Sequence, residues 1–461
     1  MSMDLRGKSV VVVGLGGSGL AAARLALREG ARVTINDRKP EAELGARALE
    51  ARALGAALSL GDHPEALFAS ADLVVLSPGV PKLAAVEAAR SRFVPVVPEV
   101  ELASWFLRGT LLGITGSNGK STVTTLVGKM CEASGRPTFV GGNLGDALSN
   151  AAFTPAAKGD GLVVAELSSF QLEDIESLRC SVAILLNITD DHLDRHGSFA
   201  AYAAAKGHIF LTQQPTDHAL APDGDELCLS LARAGAGHLH AFAGRQGEVR
   251  IENGALVDTV SGLSVPVGEL RLKGRHNQSN ACAAALAARL VGVDREAIAS
   301  VLRTFAGLPH RMVHVRDLDG VAYYDDSKAT NVGAACAALD GLADLEGKVV
   351  LLAGGVDKGG SYGPLRERME KRGRALVLIG QATPILREAF AGTSLAIETA
   401  TSMDEAVAKC RGLARAGDAV LLAPACASFD MFTSYAHRGD EFQRAALALP
   451  GGASAGEGGA R

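Results

Sequence analysis

Short runs of Val, Leu, Ile and Ala alternate along the chain with Ala-, Leu- and Arg-rich stretches of helical character. Buried parallel strands read as continuous apolar runs, so this alternation predicts an α/β protein built on doubly wound sheets. One unit occurs three times: an apolar run leading at once into a glycine loop. The copies are residues 8–19 (KSVVVVGLGGSG), 110–121 (TLLGITGSNGKS) and 348–360 (KVVLLAGGVDKGG). Their spacing is irregular and their loops differ chemically, which argues for three domains, the middle one largest, rather than a tandem repeat. Pro95 and Pro98 punctuate the chain before the second unit, and Gly307 and Pro309 break a helix near residue 306. The small, polar tail 450–461 is expected to be disordered.

Composition narrows the class. With 461 residues, 48% hydrophobic and 21% charged, the chain can bury sizeable cores. A net charge of −5 leaves no excess of positive charge for sequence-independent nucleic-acid binding. No apolar run approaches bilayer length, and the run at 9–14 is too short for a signal-peptide core. Seven cysteines, odd in number and never spaced CxxC, argue against a disulfide framework or structural zinc and for a reducing cytoplasm.

Gly14, Gly16 and Gly19 form GxGxxG between a strand and a helix, and Asp37 ends the next strand. Glycines there let backbone N–H groups approach a phosphate at a helix N-terminus, and an acid at that strand end accepts hydrogen bonds from a ribose or base. A bound nucleotide diphosphate and a turn that merely packs helix on strand both fit. Arg38 and Lys39 add positive charge that solvation explains equally well.

The second loop, Gly116, Ser117, Asn118, Gly119, Lys120, Ser121 and Thr122, carries the core of a P-loop. Backbone amides and Lys120 would hold phosphates and the Ser121 hydroxyl would ligate Mg²⁺. The standard pattern puts a glycine where Ile114 stands, so strict matching fails. The apolar run 162–165 ends in Glu166, a carboxylate placed to hold Mg²⁺ directly or through water, with capping of the next helix as the alternative. His192 and His196 stand four apart among carboxylates, but the glutamate of HExxH is absent. One histidine near Mg²⁺ or substrate is the economical reading; Asp191 is a candidate helix cap. Lys206, among alanines, reads as a solvated face.

In the third region residues 322–331 (AYYDDSKATN) gather carboxylates, hydroxyls and a lysine after a strand. Lys358 follows Gly354 and Gly355, and Ser428 follows another apolar run. If these loops share one crevice at the strands' carboxyl ends, Lys328, Lys358 and Ser428 offer two cations and a hydroxyl to a small anionic substrate. Three unrelated exposed loops are the alternative. Arg311, at the presumed hinge, would reach ATP on closure.

Together TGSNGKST (115–122), GGNLG (141–145), ELSSFQLE (166–173), DDHLDRH (190–196), HNQSNA (276–281), GLPHR (307–311), DDSKATN (325–331), PACASFD (424–430) and HRGDEF (437–442) resemble the Mur ligases, ATP-dependent amide-forming enzymes of peptidoglycan precursor synthesis. The resemblance covers nearly the whole chain, and DDSKATN and PACASFD most resemble the member that adds D-glutamate to UDP-MurNAc-L-Ala. It implies a Rossmann-like UDP-substrate domain (1–99), a central P-loop ATPase-like domain (100–306) and a C-terminal Rossmann-like amino-acid domain (307–461).

The resemblance also implies roles for single residues. Gly17, Ser18, Asp37, Arg38, Gly79 and Asn143 match contacts to the UDP substrate. The P-loop residues with Asn277, Arg311 and Asp326 match ATP contacts. Lys328, Thr330, Lys358, Ser428, Phe429 and Tyr435 match the D-glutamate pocket, with Tyr435 standing where relatives carry phenylalanine. Ser121 and Glu166 match ligands of one Mg²⁺, and His192 matches a histidine of a second. Lys206 matches a lysine carbamylated with CO₂, and Lys120, His192 and Lys206 are the catalytic set. A cytoplasmic monomer that neither binds nucleic acid nor enters a membrane is expected, with the third domain closing over the second to exclude water from an acyl phosphate. Competing readings are a nicotinamide-dependent oxidoreductase, which leaves Lys120 and Glu166 without a task, an ATP-regulated binding protein, and another Mur ligase or folylpolyglutamate-type relative.

Overall fold

A computed structural model describes residues 4–272, 274–342 and 345–451. Residues 452–461 of the expected disordered tail lie outside the described residues.

Three sheets organise the chain. In the first, β1 (Ser9–Val13), β2 (Arg32–Asp37), β3 (Ala57–Leu60), β4 (Leu73–Leu76) and β5 (Val96–Pro98) run parallel in the order β3-β2-β1-β4-β5. The run Val10–Val13 is buried throughout, as a strand covered on both faces requires. The strand order reverses at β1, so the crevice beyond the ends of β1 and β4 is the place where such a sheet takes a ligand. The GxGxxG loop lies there and leads into α1 (Gly17–Arg28).

The second sheet contains β6 (Thr110–Thr115), β7 (Thr138–Gly142), β8 (Leu162–Glu166), β9 (Val182–Leu185), β10 (His218–Pro222), β11 (His238–Phe242), β12 (Val249–Glu252), β13 (Ala255–Asp258) and β14 (Ser264–Pro266). Its order is β14-β13-β12-β11-β10-β9-β6-β8-β7. The strands from β7 to β12 are parallel, whereas β12, β13 and β14 pair antiparallel. Doubly winding does not anticipate that extension. Asn253 and Gly254, both at positive φ, turn β12 into β13, and Asn-Gly between apolar alternations is a strong hairpin signal. The P-loop joins β6 to α2 (Lys120–Ala133), and β8 and β9 flank β6.

The third sheet has the order β15-β16-β20-β17-β18-β19, where β15 is Val313–Leu318, β16 Val321–Asp325, β17 Val349–Gly354, β18 Gly373–Ile379, β19 Ala396–Thr399 and β20 Ala419–Leu422. Only β15 pairs antiparallel, with β16.

The chain divides into two compact units. One runs to Ile188 and adds Ala203–Arg271 and Asn277–Phe305; the other comprises Thr189–Tyr202, Leu272–His276 and the chain from Ala306 onward. Within the first unit a single apolar core runs from the first sheet into the second, through Val100, Leu102, Trp105, Leu148 and Ala151. Glu101 pins this junction. Its carboxylate accepts from the backbone N–H of Glu176, Ser177 and Leu178 and from Trp105 Nε1, at 2.9–3.1 Å. All seven cysteines are free and buried, distributed over both units.

No helix among the described residues is long and apolar enough to cross a membrane.

Candidate active site

The P-loop is held by side chains from the strands and helices around it. Ser117 N–H donates to the Asn187 carbonyl (2.9 Å), and the Asn187 amide exchanges hydrogen bonds with the Asn118 backbone at 2.9 and 3.0 Å. Gly119, at φ +86°, starts α2, and a Cβ there would strike Asn280 Oδ1. Glycine is therefore required twice over, by the left-handed backbone and by the approach of α4 (Arg275–Leu290). Asn280 Nδ2 donates to Asn277 Oδ1 at 3.3 Å, which sets the predicted ATP-contacting Asn277 on the same helix as the residue that packs the loop.

Lys120 Nζ folds over the loop, donating to the carbonyls of Gly116 (2.8 Å) and Ser117 (2.9 Å). These contacts are ones an incoming phosphate can replace. The loop follows β6 without a glycine at 114: Ile114 is buried and pairs with Glu166 across the sheet. The departure from the standard P-loop thus fills core rather than removing the cradle.

Glu166 ends β8 at 3% exposure. One oxygen accepts from Asn143 Nδ2 at 2.7 Å; the other, Oε2, is buried with no hydrogen-bond partner. A buried carboxylate oxygen without a donor is costly unless a cation or its water takes the lone pair. The Ser121 hydroxyl is buried at the start of α2. A hard oxygen pair of this kind fits Mg²⁺. The alternative role of Glu166 as a helix cap falls away, because Ser168 and Gln171 form a capping box on the next helix.

Lys206 departs from its residue-level reading as a solvated lysine. On α3 (Phe199–Leu211) it is 1% exposed, and Nζ donates to the Gly116 carbonyl at 2.8 Å. A mean apolar, alanine-rich helix gives no periodic signal to mark which side is buried, so the sequence pattern could not place it.

In the first sheet, Asp37 is spent on shaping the glycine loop. Its oxygens accept from Leu15 N–H (2.8 Å) and Lys39 N–H (2.9 Å). Each oxygen keeps a lone pair for a further donor. Ser77 Oγ donates to the Gly14 carbonyl at 3.1 Å, drawing the loop after β4 to the loop after β1. Gly79 and Gly17 are exposed there, Ser18 is half-buried at the uncapped start of α1, and Arg38 is exposed. Asn143, expected on the UDP substrate, donates to Glu166 and so couples two predicted sites.

The second unit gathers the loops after β16, β17 and β20. Their mutual pairing places their ends side by side, which overturns the alternative of three unrelated loops. Arg438, on α5 (Tyr435–Ala448), clamps them together. It is fully buried, donating to Ser327 Oγ (3.0 Å) and Ser327 O (2.9 Å), and to the carbonyls of Gly354, Cys426 and Ala427 at 3.2–3.4 Å. Burial lowers its pKa to about 10, leaving it charged at neutral pH. The residue-by-residue reading assigned it no role; an arginine one turn into the helix that follows the loop after β20 was the available signal.

Lys328 Nζ lies 3.8 Å from the centre of the Tyr435 ring, a cation–π contact. Lys358 Nζ meets Asp191 Oδ1 at 3.5 Å, and Asn331 Nδ2 donates to Asp191 Oδ2 at 2.9 Å. Asp191 is therefore no helix cap: the following short helix, Leu193–His196, has His192 at its N-cap, in left-handed conformation, with no side-chain cap. His192 Nε2 stands 3.7 Å from Asp191 Oδ2. Ser428 is buried and Thr330 half-buried, while Phe429 is 75% exposed. Asp326, buried just after β16, has its pKa raised to about 7 by burial, against the pull of Arg311 and with a smaller push from Asp325. Arg311 Nε is buried without a hydrogen-bond partner.

A P-loop beside a buried carboxylate, together with a separate lysine-bearing loop cluster, defines an α/β enzyme of the nucleotide-triphosphate-using class. Three family models cover the chain: Mur ligase MurD-like, N-terminal domain (8–98), Mur ligase middle domain (114–288) and Mur ligase, glutamate ligase domain (310–426). It is 44% identical over 98% of both chains to a UDP-N-acetylmuramoylalanine--D-glutamate ligase of Desulfosudis oleivorans. A relative of the same description from Anaeromyxobacter dehalogenans is 46% identical over 96% of this chain and 98% of its own. The crystal structure of MurF from Acinetobacter baumannii matches in fold, with TM-score 0.61 at 17% identity over 96% of this chain and 91% of that one. The chain belongs to the Mur ligase family.

Proposed function

We propose that this chain is the ATP-dependent ligase that joins D-glutamate to UDP-MurNAc-L-Ala in peptidoglycan precursor synthesis. The observation that carries the reading is its full-length likeness to relatives named for that reaction. The geometry agrees: a phosphate cradle in one unit and two lysines on clustered strand ends in the other.

The substrate carboxylate is a poor electrophile. Its oxygen attacks the γ-phosphorus of ATP, ADP leaves, and an acyl phosphate forms. The D-glutamate amine then attacks the acyl carbon, loses a proton, and phosphate departs as the amide forms. Lys120 exchanges its loop carbonyls for phosphate oxygens and offsets the charge on the transferring group. Ser121 and Glu166 would hold Mg²⁺, which when bound supplies neutralisation of phosphate charge. We assign His192 to a second ion, and carbamylation to Lys206, which lies buried against the P-loop with Nζ on the Gly116 carbonyl. Asn277, Arg311 and Asp326 face ATP in this reading. The glycine loop with Gly17, Ser18, Asp37, Arg38, Gly79 and Asn143 takes the UDP substrate.

Lys328 and Lys358 would each trade an internal contact for a D-glutamate carboxylate, with Thr330, Ser428, Phe429 and Tyr435 around it. Division into domains at residues 99 and 306, a monomeric state and a cytoplasmic location belong to the same proposal.

Phosphate release from ATP and Mg²⁺ with UDP-MurNAc-L-Ala tests it, with D-glutamate, L-glutamate and a diamino acid offered separately. Release with D-glutamate alone, with a product one glutamyl residue heavier, is expected. Release with another acceptor overturns the acceptor assignment, and release with none overturns the ligase reading.

A further inference from the structure

At the amino end of the second sheet's strands, opposite the end that carries the P-loop, three histidines share one face of two neighbouring strands. His218 of β10 is register partner of His238 on β11, and His240 lies two residues further along β11. Successive same-face residues on adjacent strands bring imidazoles within reach of one another. His218 Nδ1 stands 3.0 Å from His240 Nε2, with ring centres 5.0 Å apart; the His238 ring centre is 6.3 Å from that of His218.

Behind them a carboxylate relay is already built. His240 Nδ1 donates to Glu248 Oε1 at 2.6 Å. Arg289 from α4 holds Glu248 Oε2 at 2.5 Å and Asp258 at 2.9 Å. With its Nδ1 proton given to Glu248, His240 presents the Nε2 lone pair towards His218. This is the arrangement by which an outer carboxylate orients a metal-binding imidazole and raises its basicity.

The spacing matches a metal bite. Two imidazole nitrogens bound to one zinc ion at about 2.0–2.1 Å stand roughly 2.9–3.4 Å apart, from right-angled to tetrahedral geometry. A cavity of about 420 Å³ bordered by His218, Thr110, Ser181, Thr216 and Gly292 gives an ion a way in. No three ligating groups are gathered on one point among the described residues. His238, exposed on the same face, is the side chain free of the core that can rotate in as the third.

We propose that His218 and His240, completed by His238 and solvent, form a binding site for a divalent transition-metal ion of the zinc, nickel and copper class. The ion takes the place of the proton shared between His218 Nδ1 and His240 Nε2, which moves to His218 Nε2. Imidazole ligands select these ions over Mg²⁺, so the site is chemically separate from the phosphate site.

The test is calorimetric titration of Zn²⁺ into the full chain, prepared without a histidine tag and stripped with chelator, in saturating Mg²⁺ and ADP. Expected is saturable binding of one Zn²⁺ per chain, weakened at least about tenfold by His218→Ala or His240→Ala and roughly tenfold by Glu248→Gln. Binding unchanged in the His218→Ala, His240→Ala double variant, or no saturable binding in the parent, overturns the proposal. Should a variant fail to fold, long-range ¹H–¹⁵N spectra of the histidine-labelled parent decide. Joint shifts of His218 and His240 on adding Zn²⁺ support the site; shifts confined to other histidines overturn it.

Discussion

The P-loop end of the second sheet and the loop cluster of the third both stand at the carboxyl ends of parallel strands, yet they store their polar groups differently. Around the P-loop, Ser121, Glu166 and Lys206 are buried, and Glu166 keeps one oxygen without a donor. Around the loop cluster, Lys328 and Lys358 are half-exposed and rest on internal partners, an aromatic ring and a carboxylate. Phosphoryl transfer gains from groups fixed in a low-dielectric setting before the substrate arrives. Capture of a small amino acid needs cations that can change partners. In the proposed function, the difference suits one region to the transition state and the other to exchange.

Breaking the first region should cost most. Lys120→Ala is expected to lower kcat by about 10³-fold or more, with an unchanged melting temperature showing that the fold survives. Glu166→Gln should lower kcat by about 10²–10³-fold and raise the Mg²⁺ concentration needed for half-maximal turnover; an unaltered Mg²⁺ titration would remove Glu166 from the metal site.

The second region should respond through substrate affinity. Lys358→Ala is expected to raise KM for D-glutamate by about 10–100-fold, the worth of one charge-assisted hydrogen bond, while KM for ATP stays within about twofold. An equal rise in both would merge the two regions. Arg438→Met removes the clamp on three loops and should cost roughly 3 kcal/mol, read as a lowered denaturant midpoint.

A further effect concerns pH. The folded pKa of Asp326, about 7, lies above its ordinary value of 3.8. Between those values the folded chain binds more protons than the unfolded one, so stability falls as pH rises from about 4 to about 7. Asp326→Asn should flatten that part of the melting-temperature profile relative to the parent. A parallel profile would show that the carboxyl is not held protonated.

Much of the fold was legible because fully buried strands cannot hide: Val10–Val13, Leu162–Glu166 and Val349–Gly354 are all where continuous apolar runs predicted them. Glycine loops after strands were equally readable, since the left-handed φ at Gly14 and Gly119 restricts the residue type. Side-chain partners across long separations were not. Asp191 reads as a cap beside a histidine, and only the folded chain brings it to Asn331 and Lys358, 140 and 167 residues away. Lys206 hid in a helix apolar on every side. Glu101 and Arg438 look like ordinary surface charges until the backbone amides and carbonyls they satisfy are seen.

The buried cysteines bear on how opening of the two regions can be timed. Burial pushes the thiols of Cys131, Cys180 and Cys282 up to about 12, and those of Cys336 and Cys426 up to about 11. A thiol in that state is nearly silent towards alkylating reagents until its surroundings open. Cys131 and Cys282 sit in the helices that frame the P-loop, and Cys426 sits in the loop after β20. Each region thus carries its own internal clock, and alkylation rates at individual cysteines can time the breathing of either region without adding a label.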